Sequence, residues 1–229
     1  MKTKKRIVYA ANREIGIHAL EILIKHGIIP VILLVSNSDY YEGRMVSKYL
    51  KGVPMICGKD FRKPEVVKLI DDMSIDYIVS VHFPYIIPPE ILSIPRVGTL
   101  NLHPAYLPYN RGWNTPTWAI LDQTPYGATL HWVDEGIDSG DIALQKKLEI
   151  LPEDTAHSLY QRVLALELEV FSEAIPLLLR DELPRIPQNE HGTSYRKVDL
   201  SRIQKLELDE SYTVREVINK LRALTTNNI

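Results

Sequence analysis

Three short segments in the first eighty residues consist almost entirely of apolar residues, and they constrain the fold more than any other feature. Residues 6–11, residues 31–35 and Tyr77–Val81 each have the length of a strand, and strands that are apolar throughout occur in the middle of parallel sheets. Segments with helical spacing of apolar residues separate them, at 16–26 and Pro64–Asp72. The alternation implies right-handed crossovers and predicts an α/β, Rossmann-like fold with a mostly parallel sheet flanked by helices.

The rest of the chain predicts a second set of elements and a change of pattern near residue 183. The strand Gly98–His103 should end at Pro104, which lacks a ladder donor and restricts the residue before it. Pro176 should kink or shorten a long helix near its end. The other predicted elements are strands at 54–57, 128–133, 142–150 and 193–198, and helices at 115–121, 155–180 and 213–224. We therefore expect a catalytic domain at 1–182 and a small carboxyl-terminal appendage of strand and helix at 183–229.

Composition excludes several classes of protein. The 229 residues carry a net charge of -2 with a pI of about 6.4, and residues 181–229 contain equal numbers of basic and acidic residues, so we expect no nucleic-acid partner. Cys57 is the single cysteine, which excludes an intrachain disulfide. We find no signal peptide and no apolar stretch long enough for a membrane span, so we expect a cytoplasmic enzyme without a membrane partner. The histidines lack metal-ligand spacing, so no metal is expected.

Three polar side chains form a candidate catalytic group. Asn101 and His103 lie one pleat apart on the same face of their strand, at its carboxyl end, where ligands bind in open parallel sheets. Asp138 lies on a glycine-flanked turn. An asparagine amide can stabilise an oxyanion, worth roughly a hundredfold to a thousandfold in rate, while a histidine can transfer a proton and a carboxylate can orient it. On these residues alone, local hydrogen bonding and turn chemistry remain open alternatives.

Three longer segments extend this pattern. Residues 101–112 read NLHPAYLPYNRG, residues 127–132 read GATLHW and residues 134–142 read DEGIDSGDI. Over about residues 5–180 the chain resembles the folate-dependent formyltransferase family, whose members formylate glycinamide ribonucleotide, methionyl-tRNA or nucleotide-linked amino sugars. The resemblance implies N10-formyltetrahydrofolate as the formyl donor. It also implies three catalytic residues: Asn101, His103 and Asp138.

The same resemblance implies where folate binds. It places the pterin in a largely backbone-lined pocket between the turn at 85–87 and the loop at 133–138. His82 ends a strand beside that turn and is a further candidate. The residues expected at the folate site are His82, Tyr85, Ile86, Ile87, Val133, Asp134 and Gly136.

The acceptor is expected near the first strand and near residues 109–113. The latter segment, with residues 117–120, looks most like the sugar-nucleotide formyltransferases, which implies a nucleotide-linked amino deoxysugar, such as a dTDP-sugar for lipopolysaccharide O-antigen. The loop at 11–16 lacks a dinucleotide fingerprint, so no NAD is expected. Arg13 would suit a pyrophosphate, and a solvent-facing charge is its alternative. Glu167 matches an acid that faces the amine in the purine-pathway enzyme, and a solvated helical glutamate is its alternative. The expected acceptor contacts are Asn12, Arg13, Tyr109, Asn110, Arg111, Trp113 and Glu167.

Other interpretations remain open at this stage. Glycinamide ribonucleotide is the second acceptor, methionyl-tRNA is less favoured because the tail is not basic, and a non-catalytic folate-binding module is the alternative from another class. His131 is expected to be structural or to line the pocket. Tyr40 and Tyr41 could stack on a nucleobase or serve in packing. The expected assembly is a homodimer that uses the appendage.

Overall fold

The computed structural model describes residues 5–37, 50–188, 191–207 and 209–226, so Tyr40 and Tyr41 lie outside the described residues. The strands are β1 Ile7–Ala11, β2 Ile32–Val35, β3 Met55–Cys57, β4 Tyr77–Val81, β5 Gly98–His103, β6 Arg111–Gly112, β7 Tyr126–Trp132, β8 Ile142–Leu148 and β9 Ser194–Tyr195. Seven of them form one sheet in the order β3-β2-β1-β4-β5-β7-β8. The first five in that order run parallel, and β7 and β8 are antiparallel. The predicted α/β fold with a mostly parallel sheet is confirmed.

Seven helices connect or follow these strands in the described ranges. They are α1 Arg13–Lys25, α2 Pro64–Asp72, α3 Pro89–Leu92, α4 Thr115–Asp122, α5 Ala156–Arg180, α6 Leu200–Ile203 and α7 Val214–Leu224, and two 3-10 turns lie at Asp60–Arg62 and Lys197–Asp199. The capping box of Thr213 and Glu216 forms as predicted, and Thr155 caps α5 with Ser158. α5 continues through Pro176 to Arg180, so the expected shortening is wrong. No helix in these ranges has the length and apolarity needed to cross a bilayer.

The two faces of the sheet are covered by separate hydrophobic clusters. Along β1, Val8 and Ala10 belong to the cluster that includes Ile70 of α2. Tyr9 belongs to the other cluster, which includes Phe171 of α5. Every residue of β1 is fully buried, as expected for an apolar strand in the middle of a sheet covered on both sides.

The carboxyl-terminal segment is attached to the rest of the molecule at several points. β9 pairs in parallel with β6, so the strand predicted at 193–198 is reduced to two residues because a 3-10 turn follows at Lys197–Asp199. The hydroxyl of Thr117 in α4 donates to the carbonyl of Ala223 in α7. Arg222 of α7 donates to the carbonyls of Leu151 and Asp154 before α5.

Candidate active site

The carboxyl end of β5 brings polar side chains to one face of the sheet. β5 pairs with β7 so that Asn101 lies opposite His131 and His103 lies opposite Thr129. Paired residues project to the same side of a sheet, so the amide and both imidazoles line one surface. Their apolar neighbours belong to the core on the other face: Leu100, Leu102 and Leu130.

Asp138 joins these side chains into one cluster. Its carboxylate oxygens lie 3.6 Å from Nδ1 of His103 and 3.4 Å from Nε2 of His131. The backbone N–H of Gly112 donates to Oδ2 at 2.9 Å, and the amide nitrogen of Asn101 lies 3.5 Å from Oδ1. Asp138 has a φ of 50°, a conformation that persists in a residue other than glycine only when its surroundings hold it.

Gln188 holds the turn that carries Asp138. Its side-chain nitrogen donates to the carbonyls of Asp138 and Gly140 at 2.8 and 2.6 Å. Its oxygen accepts from the guanidinium of Arg111 at 3.0 and 2.7 Å. The segment after residue 182 therefore supports the candidate site, a role that no local sequence motif marks.

His131 orients the amide of Asn101. Its Nδ1 lies 2.8 Å from the carbonyl of Trp132, which can only accept a hydrogen bond, so Nδ1 carries the proton of the neutral ring. Nε2 lies 3.2 Å from the amide nitrogen of Asn101 and 3.4 Å from Oδ1 of Asp138, so it accepts from the amide in the neutral ring and donates to the carboxylate in the charged ring. His131 is buried and contacts two of the three predicted catalytic side chains.

His103 and Asp138 influence the protonation of each other. Burial is the largest effect on His103 and lowers its pKa below 6.5, while Asp138 and the carbonyl of Asn110 oppose that effect. Nε2 of His103 lies 3.3 Å from this carbonyl. Burial would raise the pKa of Asp138, but His103, His131 and the N–H of Gly112 together hold it well below its ordinary value. The cluster thus combines an ionised carboxylate with a buried imidazole that is readily neutral.

The turn predicted to bind folate has one exposed apolar side chain. Ile86 is 75% exposed, whereas Ile87 is buried. The carbonyl of Ile86 accepts from Arg62 at 2.7 Å. Tyr85 packs edge-on against Phe83, with ring centroids 5.3 Å apart. The turn is therefore anchored by Tyr85 and Ile87 and presents Ile86 outward.

The second predicted folate segment is a tight loop. Oδ1 of Asp134 accepts from the N–H of Gly136 at 3.0 Å and from the hydroxyl of Ser139 at 2.8 Å, so this carboxylate stabilises the loop itself. Val133 is half-buried and its N–H donates to the carbonyl of Thr99. Ile137 at the loop tip is 55% exposed.

Two predicted acceptor residues lie at the end of β1. Asn12 accepts a hydrogen bond from the hydroxyl of Ser36. Arg13 is exposed, and its guanidinium lies 3.5 Å from the hydroxyl of Tyr160. α1 begins at Arg13, three positions before the predicted start, because the polar residues of its first turn do not follow the apolar spacing on which the prediction depended.

The residues predicted at 109–113 differ in how much surface they offer. Asn110 is fully buried and its amide nitrogen donates to Thr124, and its contact with the acceptor stays a prediction. The guanidinium of Arg111 is occupied by Gln188. Tyr109 is half-buried, and Trp113 is 47% exposed with Lys197 above its ring.

His82 and Glu167 form a pair that the sequence did not indicate. Glu167 is fully buried, and its two oxygens lie 2.9 and 3.0 Å from Nε2 of His82. The alternative of a solvated helical glutamate is therefore wrong. Among the described residues, no group of three or more metal-ligating side chains has an arrangement that could hold a metal ion.

Comparisons with known proteins identify the family of this chain. Residues 18–175 match the formyl transferase family, and residues 199–229 match the N-formyltransferase dimerization C-terminal domain. Methionyl-tRNA formyltransferase of Syntrophus aciditrophicus is 30% identical over 232 residues, which cover 97% of this chain and 73% of the relative. The chain belongs to the formyl transferase family, and it is a folate-dependent formyltransferase.

Solved structures share the fold over nearly the whole chain. A sugar N-formyltransferase from a Shewanella species has a TM-score of 0.83 and 23% identity, covering 98% of this chain and 90% of its own. A 4-N formyltransferase from Francisella tularensis has a TM-score of 0.82 and 26% identity, covering 100% and 91%. An N-formyltransferase from Helicobacter canadensis, in complex with folinic acid and dTDP-3-aminofucose, has a TM-score of 0.74 and 21% identity, covering 96% and 80%.

Proposed function

We propose that this enzyme transfers a formyl group from N10-formyltetrahydrofolate to the amine of a nucleotide-linked amino deoxysugar. The main support for the sugar is the resemblance of residues 109–113 and 117–120 to the sugar-nucleotide formyltransferases, and a solved sugar N-formyltransferase shares the fold over 98% of the chain. The fold likeness to the Francisella 4-N formyltransferase agrees with it. The charge-balanced tail offers no basic surface for a tRNA.

The cluster around Asp138 supports direct transfer. Asn101 would donate an amide hydrogen to the oxygen of the formyl group as it gains negative charge, and its long 3.5 Å contact with Asp138 is weak enough to be exchanged. His103 would take a proton from the amine nitrogen as it attacks, and the charged ring would stabilise the same oxygen. Asp138 keeps the imidazole oriented and helps it return that proton to the departing nitrogen. The exposed Ile86 and Ile137 on the two predicted folate segments would suit packing against the face of a flat ring.

Two other acceptors deserve a direct comparison. The 30% identity with a methionyl-tRNA formyltransferase favours methionyl-tRNA. A fold likeness to a phosphoribosylglycinamide formyltransferase, with a TM-score of 0.68, favours glycinamide ribonucleotide. A non-catalytic folate-binding protein is disfavoured, because the cluster of Asn101, His103 and Asp138 is complete.

A panel of acceptors tests the proposal. Purified enzyme and N10-formyltetrahydrofolate are incubated with dTDP-linked and UDP-linked 3-amino and 4-amino deoxysugars, glycinamide ribonucleotide and methionyl-tRNA, and formylated products are measured by mass. We expect a formylated nucleotide sugar and equal release of tetrahydrofolate. Formylation of methionyl-tRNA or glycinamide ribonucleotide alone would overturn the proposed acceptor, and no formylation at all would support the non-catalytic alternative.

The placement of the acceptor has its own test. β1 and β5 are both parallel strands with one strand between them, so Arg13 and His103 follow strands that end on the same side of the sheet. A pyrophosphate at Arg13 would let the attached sugar reach His103. Arg13→Ala should raise the acceptor KM by the equivalent of about 1.5–3 kcal/mol, one charge-assisted hydrogen bond, and leave folate affinity nearly unchanged. Equal weakening of both substrates, or of neither, would contradict this placement.

The carboxyl-terminal helix offers a surface for the proposed homodimer. Val214, Ile218 and Leu221 are 76%, 49% and 56% exposed, and their spacing puts them on one face of α7. A second copy of the chain would cover this apolar face.

A further inference from the structure

The order of strands places His82 between the two ends of the proposed acceptor site. β4 lies between β1 and β5 in the sheet, and His82 follows β4 directly. The pairing of Val81 with Leu102 and with Ala11 puts His82 level with His103 and Asn12 at the carboxyl edge. A molecule that extends from Arg13 to His103 must therefore pass over the end of β4.

The backbone of His82 directs its side chain toward α5. Ser80 is paired with Asn101, so regular alternation would put the His82 side chain on the face of Asn101. Instead, His82 has a φ of 50°, and its ring contacts Glu167 and Tyr160, which both belong to α5. Such a conformation is costly for a residue other than glycine and is concentrated at functional sites.

Glu167 determines which nitrogen of His82 carries the proton. This carboxylate is fully buried and both of its oxygens contact Nε2, and a buried charge is stable only when it is paired and hydrogen-bonded. An ionised carboxylate only accepts, so the neutral ring of His82 carries its proton on Nε2 and a lone pair on Nδ1. A carboxylate that fixes the tautomer of a histidine in this way is the arrangement of a general base.

The lone pair on Nδ1 is only weakly engaged. Its partner is the hydroxyl of Tyr160 at 3.4 Å, and that hydroxyl lies 3.5 Å from the guanidinium of Arg13. Both distances are longer than those of strong hydrogen bonds. The His82 side chain is 10% exposed, so a ligand can reach the ring while most of it stays enclosed.

We propose that His82, oriented by Glu167, is the base that deprotonates the acceptor amine; this inference rests on the proposed function. An alkylamine is largely protonated at neutral pH and has no free electron pair for attack. An N–H bond of the ammonium breaks, its electron pair stays on the amine nitrogen, and the proton bonds to Nδ1, directly or through the hydroxyl of Tyr160. The carboxylate of Glu167 balances the charge gained by the ring, and the proton passes to solvent after product release.

The charges around His82 fit this role. From α5, Glu167 stabilises the charged ring and Tyr160 can donate to the neutral ring. From α1, Arg13 opposes the charged ring, and at the end of β5 the imidazole of His103 does so when it is protonated. His103 itself already faces the carbonyl of Asn110 and the carboxylate of Asp138, so the two histidines divide the proton transfers of the reaction.

Kinetics over a range of pH test the proposal with an amino sugar that the wild-type enzyme formylates. His82→Gln should lower kcat/KM for the acceptor by about 10- to 100-fold near pH 7, and the loss should shrink as pH rises and the amine loses its proton in solution. Glu167→Gln, which keeps a hydrogen-bond acceptor but removes the charge, should show a smaller loss with the same pH trend. The exposed His18→Gln is the matched control and should equal wild type. A loss that is the same at every pH, or no loss, would overturn the proposal.

A spectroscopic measurement separates this inference from the proposed function. Nitrogen-15 NMR of histidine-labelled enzyme, with the His82 signals assigned from His82→Gln, reports the proton on each ring nitrogen. At a pH where the His82 ring is neutral, we expect its proton on Nε2, because Glu167 accepts there. A neutral ring protonated on Nδ1 would overturn the inference whatever the acceptor proves to be. If the wild-type enzyme formylates no amino sugar, the proposed function fails, and the same spectrum still decides whether His82 can accept a proton.

Discussion

The sheet has a strongly paired carboxylate at each end, and the two differ in their partners. At the amino ends of the strands, Asp181 is surrounded by Lys5, Arg96 and the hydroxyl of Tyr77. At the carboxyl end, Asp138 contacts two imidazoles and a backbone N–H. Two partners of Asp181, Lys5 and Arg96, are cations of side-chain types that stay charged at neutral pH and the third is a neutral hydroxyl, whereas an imidazole gains or loses a proton there.

A low pKa by itself does not distinguish the two carboxylates. Partial burial raises the pKa of Asp181, but its hydrogen bonds from Lys5, Tyr77 and Arg96 outweigh that effect and lower it to about 2. The pKa of Asp138 is also lowered, by partners that titrate. The comparison teaches that a carboxylate fixed by permanent cations indicates structure, whereas one fixed by titratable groups indicates chemistry.

The largest effect on kcat should follow removal of the charge of Asp138, at the carboxyl end of the strands. Asp138→Asn keeps the size of the side chain but removes the charge that supports both imidazoles, so kcat should fall by about 10²- to 10⁴-fold. Steady-state formylation and thermal unfolding of the same preparation measure this. Near wild-type turnover in a folded variant would contradict a catalytic role for Asp138.

Loss of Gln188, which holds the turn of Asp138, should have a smaller effect on kcat. Gln188→Ala removes the two bonds that hold the left-handed Asp138 turn, and we expect kcat to fall by roughly 10-fold, the value of about one net hydrogen bond. Gln188→Glu is the matched variant, because it keeps the acceptor for Arg111 and loses the donor to the turn. If Gln188→Glu had wild-type kcat, the link to Arg111 would be the important one.

The pH dependence of stability sharpens the comparison further. Burial lowers the pKa of His103 below 6.5, so between that lowered value and about 6.5 the unfolded chain binds a proton that the native chain does not. The free energy of unfolding should therefore fall as pH is lowered through this window, by at most about 1.4 kcal/mol per pH unit for one group. Urea unfolding at several pH values should give a flatter curve for His103→Gln. Parallel curves for the two proteins would contradict the assignment.

Asp181, the carboxylate at the amino ends of the strands, should affect stability and leave catalysis unchanged. Asp181→Asn weakens contacts that are partly exposed, so the free energy of unfolding should fall by about 1 kcal/mol while kcat stays at the wild-type value. Urea unfolding and steady-state formylation test both halves. A large loss of kcat would remove the distinction between the two ends of the sheet.

The sequence predicted the elements whose pattern is local. The apolar run of β1 and the capping box before α7 were both readable, because buried strands and helix starts have short-range signatures. The two-residue strand β6 and the four-residue α3 were missed, since elements of that length are too short to repeat a pattern of apolar residues. The end of the strand predicted at 193–198 was wrong because it depends on pairing with β6, which is distant in sequence.

The residues of the site also fall into two groups, those that a local pattern predicts and those that depend on contacts between distant segments. Asn101 and His103 share a strand and could be placed together from alternation, and the resemblance to a family supplied Asp138. The contacts of His131 follow from pairing between strands, and those of Gln188 and Glu167 join segments far apart in the chain. No spacing rule applies to such pairs. The burial of Asn110 could not be predicted for the same reason, since Thr124 and Thr193 enclose its amide.

The short pairing of β6 with β9 bears on how such enzymes can be recombined. A crossover between related chains at residue 182 would combine Asp138 and Gly112 of one parent with Gln188 and Tyr195 of the other, although Gly112 has no room for a side chain beside Tyr195. A crossover between β9 and α7 leaves those contacts within one parent. Hybrids joined after Tyr195 should therefore keep the partners of Asp138 and Gly112 within one parent and exchange only the residues that follow β9, which makes residue 195 the natural joint for such hybrids.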